Sequence, residues 1–219
     1  MVNGSFGLSL PQQIAKVLAD EIVERRLPFG HRLAESSLAA RFGTSRASIR
    51  EALYLLAQEG LIDRSPRRGT FVREFDRREI EELYQVRYLL EELALERIFK
   101  EPDKTQACLT ALASIIHQMK SAREDIKSYH GLNFKFHKTI IEIAGSDLLL
   151  GLYRQIEGPL KIFLRASFEA QGAVLQSINE HRQILTAIRH GSTREACDIL
   201  LNHDEEGMRR AIALLMADD

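Results

Sequence analysis

Three histidines have the spacing and company to do chemistry together. His137 lies four residues after Asn133, and the same helical face holds Tyr129, Ile140 and Ala144, so it points inward. His181 shares its stripe with Leu185 and Ile188. His203 shares one with Ala196, Ile199, Gly207 and Leu214. Three inward imidazoles on three helices could converge at the centre of a bundle, and neutral imidazole nitrogens suit zinc, nickel, copper or iron. The spacing leaves a second reading open, in which each is a core histidine satisfied by its own hydrogen bonds. His31, His117, His130 and His190 lack such company and read as structural or exposed.

A second set is cationic. Gly43 sits at a turn, and Thr44 and Ser45 follow as cap residues whose side-chain oxygens can accept from free N–H groups of a new helix. Arg46 and Arg50 then lie four apart on one face, with Ile49, Ala52, Leu53, Leu56 and Ala57 along the other. Such a helix can pack on its own domain while its front reaches base edges and phosphates of a duplex. Leu61 to Arg64 and Thr70 to Arg73 are short strand candidates, joined by Ser65-Pro66-Arg67-Arg68-Gly69. The expected DNA contacts are therefore Ser45, Arg46, Arg50, Arg67, Arg68 and Gly69. The plainer alternative is a helical hairpin with solvated arginines.

The elements that must position these residues can be read from periodicity. Ile14, Val17, Leu18, Ile22 and Val23 predict a first helix over about 11–26, broken by Leu27 to Gly30. Leu33, Leu38, Ala39 and Phe42 predict a short second helix with Glu35 and Ser36 near its start. Three helices and a two-stranded wing result. From Asp76 onward no strand is expected, and about six helices follow. Ile80, Leu83, Tyr84, Val86, Leu90, Leu93 and Ala94 mark the first of these. Leu109, Leu112, Ile115, Ile116 and Met119 mark the second, and the third runs over about 124–144. Asp147 should cap the fourth, which Pro159 should kink. The fifth covers about 174–188, and Thr193 should cap the sixth, which runs to Met216. The fold class is mostly α: a winged helix-turn-helix over residues 1–74, then an all-helical bundle over 75–219.

Composition narrows the function. The net charge of −1 over 219 residues excludes a generally sticky polycation. Residues 1–74 hold 11 Lys and Arg against 8 Asp and Glu, and the remainder holds 19 against 23, so the front is basic and the rear acidic. Cys108 and Cys197 offer neither metal-ligand spacing nor a disulfide framework, which fits a reducing cytoplasm. No stretch has the roughly 20 apolar residues of a membrane span. No HExxH-type pair and no carboxylate placed as general base accompanies the histidines, so an enzyme is not expected.

Residues 10 to 74 resemble the winged helix-turn-helix of GntR-family transcription regulators, carried by LPFGHRLAESSLAARFGTSRASIREALYLLAQEGLI and RRGTFV. The chain departs from the family pattern at Ser36, often charged, at Ala47, often threonine, and at Ser48, often proline. The first two departures bear on the preferred operator. The segments LNFKFHKTIIEIAGSDLLLGLY, NEHRQILTAI and NHDEEGMRRA resemble the FCD effector domain of FadR-type members. That resemblance implies a divalent metal, zinc first with nickel, manganese or iron as alternatives, held by His137, His181 and His203 with Asn133 as a weaker fourth partner where aspartate is common. It also implies a homodimer on a short pseudo-palindromic operator, and an effector pocket in which Arg87 pairs with a small organic acid beside the metal. An ion pair within the domain, for instance from Arg87 to Glu91 one helical turn later or to another acid, is the other reading of that arginine. A metal with a purely structural role is the alternative to the effector pocket. Repression relieved by the effector is the commoner behaviour of the family.

Overall fold

The structure, a computed structural model, describes residues 7–65 and 68–216, and it separates into two compact units. The first is the chain up to Phe75 together with Glu157–Ile162, and the second is Asp76–Ile156 with the chain from Phe163 onward.

The first unit begins with α1 (Leu10–Val23), opened by a capping box in which Ser9 and Gln12 exchange side-chain and backbone bonds. The helix ends three residues before the sequence suggests. Arg25 adopts φ 56°, and the N–H groups of Arg26 and Leu27 both turn back to the Glu21 carbonyl, closing the helix end. Next come α2 (Glu35–Phe42) and α3 (Arg46–Gln58), separated by Gly43 in the left-handed conformation at φ 61°. Gly43 is the tight turn the sequence places there, and a side chain at that φ would be strained. Strands β1 (Ile62–Ser65) and β2 (Gly69–Val72) pair antiparallel, Ile62 opposite Val72 and Ser65 opposite Gly69. Ile14, Leu18 and Ile22 of α1 form one core with Ile49, Leu53 and Leu56 of α3 and with Ile62 and Val72 of the wing. Glu21 of α1 and Arg41 of α2 form an ion pair, which holds the Glu21 carboxyl below its ordinary range.

The second unit comprises α4 (Arg77–Phe99), α5 (Pro102–Ser121), α6 (Ile126–Ile143), α7 (Asp147–Ser167) apart from its stretch Glu157–Ile162, α8 (Ala173–Arg189) and α9 (Thr193–Leu215). A second capping box, Asp76 with Glu79, opens α4. Two predicted caps shift by one residue. Ser146, not Asp147, caps α7, and Ser192, not Thr193, caps α9, because each serine hydroxyl reaches the N–H three residues on. The displaced Asp147 then lies in the first turn of α7, where a negative charge favours the helix dipole. Helix α7 continues through Pro159 as one element.

Two predicted stripes are also corrected. On α4, Val86 and Leu93 are exposed, and the inward line is Ile80, Tyr84, Arg87, Glu91, Ala94 and Ile98. On α9, Leu214 is exposed and Ile199 half-buried, and the inward line is Ala196, Leu200, His203, Gly207 and Ala211. On both helices, polar and small residues hold places that an apolar count gives to leucine or isoleucine.

The seating of α3 rests on Leu53, which is fully buried. Leu53→Ala should destabilise the first unit by about 2–5 kcal/mol, and Leu53→Met by less than about 1.5 kcal/mol. Urea denaturation of the two variants tests this. An alanine variant as stable as wild type would mean that α3 is not held through this contact.

Candidate functional site

Helix α3 presents its N-terminus to solvent. Ser45 caps it, accepting from the Ser48 N–H at 3.2 Å, and the two hydroxyls lie 3.1 Å apart. Ser48 thus has a use that the proline common in the family would lack, since proline has no N–H to give the cap. Arg46 and Arg50 are exposed on the outer face, as their spacing requires. Arg50 Nε donates to Glu35 Oε2 at 2.7 Å, so the first turn of α2 steadies the guanidinium from behind. Arg68 is exposed beside the wing, and Gly69 holds φ 107°, open only to glycine without strain. Arg67, the other predicted wing contact, lies outside the described residues. Arg32 was not anticipated. It bridges to Phe71 as a partial third strand, and its guanidinium stands against Gly69.

The three histidines converge. His137 from α6, His181 from α8 and His203 from α9 each offer one ligating nitrogen, and these atoms lie within 4.8 Å of one another. His137 Nε2 and His181 Nε2 are 3.2 Å apart. The opposite ring nitrogens are occupied. His137 Nδ1 meets Glu91 Oε2 at 2.7 Å, and His203 Nδ1 meets Glu180 Oε2 at 2.6 Å. His181 Nδ1 meets the Ser177 hydroxyl at 3.4 Å. A carboxylate accepts the Nδ1 proton, so on His137 and His203 the lone pair is left on Nε2. Asn133, also fully buried, places Nδ2 3.4 Å from His181 Nε2, while its Oδ1 has no hydrogen-bond partner. Clustered imidazole lone pairs beside an orphaned amide oxygen are a donor set that fits a divalent cation.

Burial dominates the electrostatics. It pushes His137 and His181 well below the ordinary imidazole value, and neighbouring positive charge adds to the effect. His203 is lowered by burial too, opposed by its bond to Glu180. Glu91 is raised by burial, against the pull of Arg87. Arg87, one turn earlier on α4, is fully buried, and its Nε donates to Glu91 Oε1 at 2.8 Å. Its Nη2 lies 3.1 Å from Asp204 Oδ1, within ion-pair range but without the direction of a hydrogen bond. The internal ion pair to Glu91 is therefore present, and one edge of the guanidinium is still without a hydrogen bond. Burial also drives the Asp204 carboxyl well above the usual carboxylate range, with Arg87 opposing.

The sequence reading missed Glu180 and the contact of Glu91 with His137. Glu91 had a signal: it lies on one stripe with Ile80, Tyr84, Arg87 and Ala94, where a carboxylate needs a buried partner. Glu180, next to His181 in sequence, had none. The remaining histidines are unremarkable in placement: His31, His117 and His190 are exposed and His130 half-buried.

Comparison with known proteins agrees with both halves. The family described as bacterial regulatory proteins, gntR family, matches residues 10–72, and the FCD domain matches residues 82–206. The chain is 27% identical over 190 residues to YdhC of Bacillus subtilis, an uncharacterised HTH-type transcriptional regulator, covering 84% of each protein. It is 30% identical over 161 residues to the gluconate operon transcriptional repressor of Bacillus licheniformis, covering 73% of this chain and 65% of that one. In fold it is similar to a GntR transcriptional regulator of Rhodococcus sp. RHA1, with a TM-score of 0.78 at 22% identity, covering 94% of this chain and 99% of that one. These matches are transcription regulators, not enzymes.

Depressed imidazole values set a pH dependence for the metal-free protein. The unfolded chain binds protons below about 6.5 that the folded histidines refuse, so this contribution to stability falls as pH drops through that value and levels off at the depressed folded values. Each group can contribute at most about 1.4 kcal/mol per pH unit. His181→Gln should therefore lose stability less steeply than wild type between pH 7 and 5, measured by urea unfolding in the presence of a chelator. Equal slopes would show that His181 titrates as a solvated imidazole.

Proposed function

Because the chain belongs to the GntR family of bacterial regulatory proteins and carries an FCD domain, we propose that it is a transcription repressor whose hold on DNA is relieved by a small organic acid. Its being a transcriptional regulator follows from the family. The operator, the metal and the effector are the proposal. Residues 1–74 serve as the DNA-binding domain and residues 75–219 as the effector-binding and dimerisation domain. The protein acts as a homodimer in the cytoplasm, on a short pseudo-palindrome whose symmetry mirrors its own. Among the described residues no helix is long and apolar enough to cross a membrane.

The observation that carries this reading is the buried histidine cluster with its orphaned polar atoms. His137, His181 and His203 would hold a divalent metal, zinc first with nickel, manganese or iron as alternatives, with Asn133 as the weaker fourth partner. A dication held by neutral ligands in a helical core supplies a site that favours an anion. The effector carboxylate would take an open place beside it. Arg87, whose Nη2 closes no hydrogen bond, would be the second anchor, since a guanidinium offers the fork that a carboxylate needs. The relative named for a gluconate operon supports a sugar acid within the wider class of hydroxy, keto and dicarboxylic acids. The effector must bind the two states of the dimer unequally, or it cannot change operator affinity.

DNA binding would be carried by Ser45, Arg46, Arg50 and the wing at Arg67, Arg68 and Gly69. On an operator selected from random DNA, Arg46→Ala and Arg50→Ala should each weaken binding by roughly 1–3 kcal/mol if the guanidinium reads a base bidentately. Affinity should fall by about 0.9 log units per decade of salt for each phosphate neutralised. Fluorescence anisotropy measures both, and two arginine variants that bind like wild type would remove α3 from the interface.

The metal and effector are tested together. Purified protein should take up one zinc per chain, and a His137→Ala/His181→Ala variant should take up almost none. A panel of sugar, hydroxy, keto and dicarboxylic acids should contain one that raises the melting temperature of the zinc form and lowers operator affinity. Both effects should weaken on chelation and in Arg87→Lys, which keeps the charge but loses the fork. A neutral apolar compound that does all this, indifferent to zinc and to residue 87, would overturn the organic-acid reading.

A further inference from the structure

Asn133 is neutral, so no ligating side chain at the histidine cluster brings negative charge to a bound cation. The negative charge lies one layer out. Glu91 on α4 and Glu180 on α8 are built alike. In each, Oε2 accepts the Nδ1 proton of a cluster histidine, His137 at 2.7 Å and His203 at 2.6 Å. In each, Oε1 accepts from a second donor that fixes the carboxylate plane, Arg87 Nε at 2.8 Å and Gln176 Nε2 at 2.8 Å. The third histidine has no carboxylate partner: its Nδ1 meets the Ser177 hydroxyl at 3.4 Å, and the Ser177 backbone carbonyl adds a second neutral contact.

This arrangement has two consequences. It fixes the tautomer, because an imidazole that gives Nδ1–H to a carboxylate must present the Nε2 lone pair on its other side. It also makes the ring more basic, since negative charge on the Nδ1 side strengthens electron donation from Nε2. Glu91 and Glu180 come from helices other than those of the histidines they hold, so these bonds tie α6 to α4 and α9 to α8.

We propose that Glu91 and Glu180 are positioning residues of the metal centre, supplying from the outer layer the negative charge that a ligating aspartate at position 133 would supply directly. The inference rests on the metal reading above. Three assignments follow from it. His137 and His203 are the strongly held ligands and His181 the weaker one. Loss of Glu180 impairs the metal rather than the fold, whereas loss of Glu91 also takes a buried partner from Arg87. A carboxylate moved inward to position 133 compensates for one lost outside.

The test measures zinc affinity by competition with a chromophoric chelator in the full-length protein, together with the visible absorption bands of the cobalt-substituted form. Glu91→Gln and Glu180→Gln keep size and shape while removing charge and allowing the amide nitrogen to face the imidazole. Each should lower zinc affinity about 10- to 100-fold and alter the cobalt bands, while Ser177→Ala changes affinity less. Asn133→Asp introduced into Glu180→Gln should restore affinity, a rescue that a merely structural role would not produce. If Glu91→Gln does not fold, as circular dichroism of the metal-free protein would reveal, Glu180→Gln and its rescue decide alone. Wild-type protein that binds one zinc, with both glutamine variants equal to it in affinity and cobalt spectrum, overturns this inference and leaves the metal reading standing. Wild-type protein that binds no metal overturns both.

Discussion

Arg87 and Glu91 lie fully buried, one turn apart on the same helix, in the centre of an all-helical unit. Moving a guanidinium and a carboxylate out of water carries a penalty of several kcal/mol per ion, which is offset only if both find close partners. The partners here come from three helices. Glu91 is bonded to Arg87 on its own helix and to His137 on α6, and Arg87 faces Asp204 on α9. Helices α4, α6 and α9 cannot shift against one another without leaving a buried charge unpaired. That requirement fixes the register of α6 and α9, and with it the positions of His137 and His203. The geometry of the histidine cluster is thus a consequence of how the buried ions of the second unit are neutralised.

This constraint also explains what the sequence discloses and what it hides. Helical periodicity finds α6 well, because Tyr129, Asn133, His137, Ile140 and Ala144 are all buried on one face. It misreads α4, because counting leucines selects Val86 and Leu93, whereas the inward positions belong to Arg87 and Glu91. Only the pairing of those two with each other and with groups on other helices makes their burial tolerable. A one-dimensional pattern does not contain such pairings. The residue types of the cluster were legible, and the helices that carry them were too. The outer carboxylates were not, since Glu180 on sequence grounds is one more acid on a solvated helix. One-residue shifts at the caps of α7 and α9 have a local cause, two adjacent residues that can each cap, of which the serine in both cases has the reach.

In the first unit the legible and the hidden divide differently. The turn at Gly43, the cap at Ser45 and the arginine pair are local features, set by short-range sterics and hydrogen bonds, and they appear where the sequence puts them. The bond from Arg50 to Glu35 is a longer-range feature. It restrains one of the two arginines, which would reduce the side-chain entropy lost if Arg50 contacts DNA as proposed and would also set a carboxylate in competition with phosphate for the guanidinium. An exposed ion pair of this kind is worth little in stability, so it can be exchanged for a contact to a base or a phosphate at small loss.

The amide at position 133 stands between the buried ions and the histidine cluster in its effect. Asn133 turns Nδ2 toward His181 Nε2 and leaves Oδ1 without a partner. An amide can offer either a donor or an acceptor from the same site by rotating half a turn about its terminal bond. With the donor inward it satisfies an imidazole lone pair, and with the oxygen inward it completes a ligand set for a cation. An aspartate could do only the second, and without a cation its charge would confront neutral lone pairs in a dry core. Asparagine therefore places no charge in the metal-free centre and meets one imidazole there, at the cost of its own unpartnered oxygen, and it offers a cation a weaker ligand than a carboxylate would. The outer glutamates work in the opposite direction, raising the donor strength of the histidines they hold. The balance between a tolerant inner amide and two charged outer carboxylates sets how readily the bundle could take up a cation, and how much positive charge would then remain for an anion placed beside it.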